Sequence, residues 1–246
     1  MAINRSLPTF NADGTAVVTP SRVGSRLEAY TLPLGGNKQS YYGDEGSYFT
    51  AYNVTDGTGI AGHPAPVQAD LSTKPLLHIF NGNPASSGKS IILDFIRIRV
   101  TAVGASGTTM DFTTWIDQKG STSKSGGTGT VATPVNCRSD QYQATGAVVT
   151  FGVVTGAVDA TERMVDHQRI RSVRPIVEDQ YLFQFGASEY TLPSDQLITT
   201  AIIASIYCPL APVVIQPGGN FKLVQWRASQ SATADSYEYT VGWTER

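Results

Sequence analysis

Residues 75–103 read PLLHIFNGNPASSGKSIILDFIRIRVTAV. Two apolar runs, residues 76–80 and 91–100, flank Asn-Gly-Asn-Pro-Ala-Ser-Ser-Gly-Lys-Ser, a string of turn formers. A phosphate-binding loop needs G-x-x-x-x-G-K-[ST] between a strand and a helix, so that backbone amides and the helix N-terminus converge on the anion. Here five residues separate Gly82 from Gly88, one too many. Pro84 has no N–H to donate, and the run after Ser90 is rich in β-branched residues. The stretch therefore predicts strand, hairpin loop, strand. Asn81, Gly82, Asn83 and Pro84 set the turn, and Lys89 is a solvated turn residue. In the second run a two-residue period puts Ile92, Ile96, Ile98 and Val100 on a buried face. Phe95, Arg97 and Arg99 fall on the other face, where solvent or a partner is met.

Working outward, the composition agrees with an all-β chain. Of 246 residues only 15% are charged, while Gly (24) and Pro (13) punctuate the text, favouring short strands with many connections over helices. A net charge of -2 gives no broad electrostatic reason to bind nucleic acid. The first residues, MAINRSLPTFNADG, contain no long apolar run, and no segment approaches the length of a membrane span. The expectation is a soluble protein made in a cytosol. Cys137 and Cys208 lack metal-ligand spacing and are expected as buried thiols rather than a disulfide.

Along the chain, residues 1–75 read as an extended, loop-rich arm, with short strands at residues 17–18 and 27–34. Its aromatics, among them Tyr41, Tyr42, Tyr48 and Phe49, are unlike an ordinary disordered tail, so the arm is expected to pack on its own domain or on a neighbouring subunit. Residues 76–246 are expected to form the folded domain. Strand-like text recurs at residues 109–117, 147–154, 158–161, 180–185, 196–207, 213–215, 221–226 and 235–243, with a flexible loop at 119–129 and a break at 209–212. ATERMVDHQRIRSVRP (160–175) is the best helix candidate. In the last strand Tyr237, Tyr239, Val241 and Trp243 alternate with Ser236, Glu238 and Thr240, the pattern of a half-buried antiparallel strand. No βαβ alternation appears, and no fixed-period repeat marks a solenoid or propeller. The fold class is all-β: an antiparallel, jelly-roll-like β-sandwich with an extended N-terminal arm.

The chemistry-bearing residues form no recognisable catalytic set. His63, His78 and His167 are far apart in sequence, and His78 sits in an apolar strand as a satisfied core residue would. Asp166 and His167 are adjacent, which does not make them a dyad. There is no G-x-S-x-G, H-E-x-x-H or calcium-loop pattern. Asp111 with Asp117, or Asp235 with Glu238, would be the carboxylate pairs to consider for glycoside hydrolysis, and nothing else singles them out. Trp115, Trp226 and Trp243 could form a carbohydrate platform, but each lies in an alternating strand and reads first as core or interface. The expectation is a non-enzymatic protein with no cofactor and no metal.

Two segments, residues 76–100 and 213–246, resemble virion proteins of tailed bacteriophages. The first carries Leu77, Ile79, Asn83-Pro84 and Ser87-Gly88-Lys89 in a turn between strands. The second carries the Pro217-Gly218 turn, an apolar strand, a polar loop and a final Tyr237-Glu238-Tyr239 strand with Trp243 near its end. Gly82, inserted between Asn81 and Asn83, departs from the family's turn. The resemblance implies a capsid cement or decoration protein: a jelly-roll homotrimer seated on the major capsid protein, at the capsid surface. The candidate interface residues are Tyr41, Tyr42, Tyr48, Phe49, Arg97 and Arg99, with no nucleic acid and no membrane as partners. The competing reading is a glycan-binding spike, fibre or adhesin.

Overall fold

The computed structural model describes residues 8–10, 16–18, 22–23, 29–30, 42–53, 55, 57–64, 74–105, 107–117, 129–140, 143–154, 161–186, 203–229 and 233–246. The chain divides into two units, Met1–Tyr41 and Tyr42–Arg246. In the first, β1 (Pro8–Phe10) pairs antiparallel with β2 (Ala16–Val18), and β3 (Arg22–Val23) with β4 (Ala29–Tyr30). Tyr41, residues 158–160 and 196–202, and residues 119–128 of the expected loop lie outside the described residues.

The second unit begins with β5 (Tyr48–Tyr52), β6 (Ile60–Ala61), β7 (Leu77–Asn81), β8 (Ile91–Ala102) and β9 (Met110–Asp117). It continues with β10 (Thr130–Val131), β11 (Val135–Asn136), β12 (Ala147–Phe151), β13 (Arg163–Arg171) and β14 (Gln180–Phe185). It ends with β15 (Ser205–Leu210), β16 (Val214–Ile215), β17 (Asn220–Arg227) and β18 (Ser236–Glu245). These strands build a six-stranded sheet, order β10-β12-β7-β17-β9-β13, and an eight-stranded sheet, order β11-β5-β18-β8-β14-β15. The short β6 and β16 pair with β18 and β8. The two sheets pack face to face as a β-sandwich. Aromatic contacts across the interlayer mark the core: Phe151 stacks on Tyr239 at 5.0 Å, Phe112 meets Phe183 edge-on at 5.1 Å, and Phe221 meets Phe185 at 5.6 Å. All six are buried. Burying an aromatic of this size contributes about 1.5–3 kcal/mol.

Several expectations are corrected. The sandwich starts at Tyr42 rather than at residue 76, because β5 lies between β11 and β18, burying Phe49 and Ala51. The strands β7 and β8 do not form a hairpin. They belong to different sheets, so residues 82–90 arch across the sandwich. The candidate helix is the strand β13, which pairs with β9 through two irregularities, its Ile170 buried and its His167 and Arg169 outside. Pro209 does not break its strand. It lies in β15, at the end of the sheet order, where a missing N–H is tolerated. That strand runs parallel to β14, an exception to the antiparallel expectation.

A bulge in β8 corrects the face assignment of Ile92. Gly242 of β18 pairs with Phe95 and Trp243 with Leu93, so Asp94 is the extra residue. Ile91 and Leu93 point inward before it, and Ile96, Ile98 and Val100 after it, leaving Ile92 half-buried. The Tyr48 hydroxyl donates to Asp94 Oδ2 at 2.6 Å and anchors the bulge.

Two of the crossings between sheets share a sequence pattern. Both β13–β14 and β17–β18 carry Arg, Asp eight residues on, and Tyr two further on: Arg171-Asp179-Tyr181 and Arg227-Asp235-Tyr237. Arg171 and Arg227 both register with Met110 of β9, from opposite sides. The strands β14 and β18 both pair with β8, again from opposite sides. Each Arg–Asp pair is fully buried. Glycines let the β8–β9 crossing close over the second pair. A Cβ on Gly107, whose φ is +106°, would stand 2.9 Å from the Arg227 guanidinium, and the Gly104 amide donates to Asp235 at 2.7 Å.

Candidate binding face

The 82–90 arch engages its own amides. Gly82 N donates to Gly146 O at 2.9 Å, Asn83 N to Asn81 Oδ1 at 3.1 Å, Ser87 N to Pro84 O at 2.9 Å, Lys89 N to Ser87 Oγ at 3.2 Å, and Ser90 N to Arg246 O. Asn81, fully buried, staples the arch by donating to Ile215 O at 2.8 Å and Lys89 O at 3.0 Å. Buried Glu245 accepts from Asn83 Nδ2, Gly146 N and Ala147 N. A single 3-10 turn, Ala85–Ser87, lies within the loop, and the strand β8 stands where a phosphate loop would start its helix. These donors are aimed at protein acceptors, so they form no cradle for phosphate.

The predicted interface residues separate into two groups. Phe49 is buried against Trp243, ring centroids 6.0 Å apart, and Tyr48 is the buried anchor of the bulge. Both are corrected from interface to buried roles: Phe49 points into the interlayer core, while Tyr48 lies on the outer face with Tyr52, covered there by the Asp94 bulge. Burial and the Asp94 carboxylate push the Tyr48 phenol well above its ordinary value. Tyr42 is half-buried under the Arg246 guanidinium, 4.1 Å from its ring centre, an intramolecular cation–π contact. Arg97 and Arg99, by contrast, stand on the outer face of the eight-stranded sheet, Arg97 exposed and Arg99 half-buried.

That face carries a shallow concavity of about 460 Å³ lined by Tyr52, Arg97, Arg99, Gln180, Glu238 and Thr240, among others. The Arg99 Nε donates to Glu238 Oε2 at 2.9 Å and its NH1 to Glu178 Oε2 at 3.3 Å. The Arg97 NH2 donates to the neutral Thr240 hydroxyl at 3.2 Å. Exposed aromatics flank the arginines: Tyr52 is 54% and Tyr207 37% exposed. The sequence signal for Tyr52 was the alternation YFTAY, which sets it opposite Phe49 and Ala51. For Tyr207, alternation with Cys208 was the only clue.

The remaining candidates are engaged in the fold. His78 is buried and hydrogen-bonded to Asn220 Oδ1 at 2.6 Å, a core residue as expected. Across the strands, His167 faces Asp111 at 3.3 Å, and Arg169 Nε donates to the same carboxylate at 3.0 Å. Asp117 accepts from Thr161 Oγ1 at 2.5 Å, while Asp235 and Glu238 are paired with Arg227 and Arg99. Trp243 is core, whereas Trp115 and Trp226 are half-buried in the other sheet. The cysteines are free thiols, but Cys137 is exposed rather than buried. Burial pushes the Cys208 thiol up to about 12. Among the described residues no three His, Cys, Asp or Glu side chains converge on a metal position, and no helix is long and apolar enough to cross a membrane. No family model, curated protein or solved structure matches this chain.

Proposed function

We propose that this chain is a virion structural protein, a capsid cement or decoration protein that binds the major capsid protein lattice and stabilises the head as an oligomer. One observation carries the reading beyond the resemblance of residues 76–100 and 213–246. Among the described residues, no strand pairs with the outer edge of β13 or of β15, and the two edges lie on one side of the sandwich, bridged by Gln168 Nε2 to Pro209 O at 3.0 Å. Met164, Ile203 and Val214, each about half exposed, lie in or beside these strands and β16. A nine-residue edge with apolar side chains around it invites strand pairing unless a neighbour covers it. In a closed homotrimer of jelly-roll-like subunits on the capsid surface, that neighbour is another copy or the lattice. Charged groups engaged in the fold suit such a role.

Quantitative mass spectrometry of purified particles tests the proposal. Cement must be present at a copy number commensurate with the capsid protein, and only a handful of copies per particle refutes it in favour of a spike, fibre or adhesin. Deleting residues 1–40 is expected to lower occupancy on particles while the sandwich stays folded. Unchanged occupancy removes the arm from the contact.

A further inference from the structure

We infer that the outer face of the eight-stranded sheet binds an acidic oligosaccharide, laid across the strands along the row Tyr52, Thr240, Arg97, Leu182, Tyr207. The inference is independent of the cement reading. Strand register builds the row: Tyr52 pairs with Thr240, Thr240 with Arg97, Arg97 with Leu182, and Leu182 with Tyr207. With strands about 4.8 Å apart, Tyr52 stands about 10 Å from Arg97 and about 19 Å from Tyr207, measured across the sheet. The row therefore has an exposed aromatic at each end and a guanidinium in the middle. Gln180 and Thr240 line the concavity, and the Tyr207 hydroxyl donates to Gln184 at 2.8 Å, which fixes that ring's orientation.

Charge selects the acidic ligand. Arg99 is tied to Glu238 and Glu178, but Arg97 has no carboxylate partner among the described residues. An exposed guanidinium fork matches a carboxylate in two parallel hydrogen bonds. A sugar ring offers an apolar face for each tyrosine and hydroxyls for the amide and hydroxyl side chains. A peptide is less well served. Peptides add to sheet edges or fill apolar pockets, and on this face the backbone is paired within the sheet. Nucleic acid requires a basic excess, which the flanking Glu178 and Glu238 deny.

The test is an array of oligosaccharides of hexuronic and nonulosonic acids with their neutral counterparts, followed by titration of the full chain with the strongest probe and with poly-glutamate. Expected are acidic glycans bound over neutral ones and over poly-glutamate, with affinity falling as salt rises. Arg97→Gln and Tyr52→Ala each weaken binding about tenfold or more, Arg97→Lys less, and Tyr207→Ala affects only the longer oligosaccharides. These side chains are exposed, so thermal melting is expected to stay unchanged. Chemical-shift mapping on the unaltered chain must place the ligand on the row. The inference is overturned if no acidic glycan exceeds its neutral counterpart, if binding survives Arg97→Gln with Tyr52→Ala, or if the shifts fall elsewhere. Equal binding of poly-glutamate also overturns it and makes the row an acidic-peptide surface.

Discussion

The β13–β14 and β17–β18 crossings span the sandwich with the same residues at the same spacing, and hold it differently. Arg227 NH1 reaches both oxygens of Asp235, at 2.5 and 2.6 Å. Arg171 NH1 is 3.2 Å from one oxygen of Asp179. Asp235 also accepts from Gly104 N, Gln225 Nε2 at 3.1 Å and the Tyr237 hydroxyl at 3.0 Å, so it joins the β8–β9 crossing to β17 and β18. Asp179 accepts from Ile176 N at 2.8 Å, Ala204 N at 2.7 Å and the Tyr181 hydroxyl at 3.0 Å, tying its own crossing to the lead-in of β15. The Arg227–Asp235 pair stands in the interior of both sheets, the Arg171–Asp179 pair beside their open edges. A buried ion pair offsets the cost of desolvation only when other donors fill the remaining lone pairs. The same charges are therefore a central clamp in one place and an edge fastener in the other.

Removing the carboxylates is expected to have the largest effect. Asp235→Ala leaves Arg227 buried without its partner and is expected to cost about 3–5 kcal/mol in urea unfolding. Asp179→Ala also strands a buried guanidinium, but beside open edges where the chain can yield, and is expected at the low end of that range, about 3 kcal/mol. Equal losses would mean that position in the sheet does not matter.

High pH comes next. Burial, then the neighbouring aspartate, raise the Tyr181 and Tyr237 phenols above their ordinary 10.0. The unfolded chain ionises first, so their contribution is complete below about pH 10 and is lost as pH rises beyond it. Stability measured from pH 8 to 11 is expected to fall at the alkaline end, and less steeply in Tyr181→Phe/Tyr237→Phe. A flat profile in the unaltered chain would show that these phenols ionise alike in both states.

Thiol labelling reads local opening at the sheet edge. Cys137 is expected to react at once and Cys208 only when β15 detaches, since burial disfavours its thiolate. Asp179→Ala, which frees Ala204 N at the start of β15, should speed Cys208 labelling more than it speeds overall unfolding. If Asp235→Ala alone speeds it, β15 opens only with the whole sandwich.

Much of the fold was legible. Alternation located the strands at residues 91–100, 221–226 and 235–243, and it put Arg97 and Arg99 on the open face. Side chains alternate at period two wherever a strand has a core on one side, whatever its partners. The same logic failed at Asp94, where one extra residue inverts the faces, and at β13, where bulges and charged side chains blurred the period into a helical look. The Arg-Asp-Tyr repeat was visible as text, but isolated charges in a loop-rich sequence read as surface until burial shows otherwise. Tyr52 and Tyr207 were harder still, because an aromatic in a strand is core by default.

Local pattern alone makes this chain all-β, makes residues 81–90 a connection rather than a nucleotide loop, and marks the apolar faces of the long strands. These properties follow from local sterics and a two-residue period. Only the fold as a whole sets which sheet each strand joins, that residues 82–90 cross between sheets, that Phe49 is core and Tyr48 is covered by a bulge, and that Tyr52, Arg97 and Tyr207 share one row. Those outcomes depend on hydrogen bonds and contacts between residues far apart in the chain, and no local pattern encodes them.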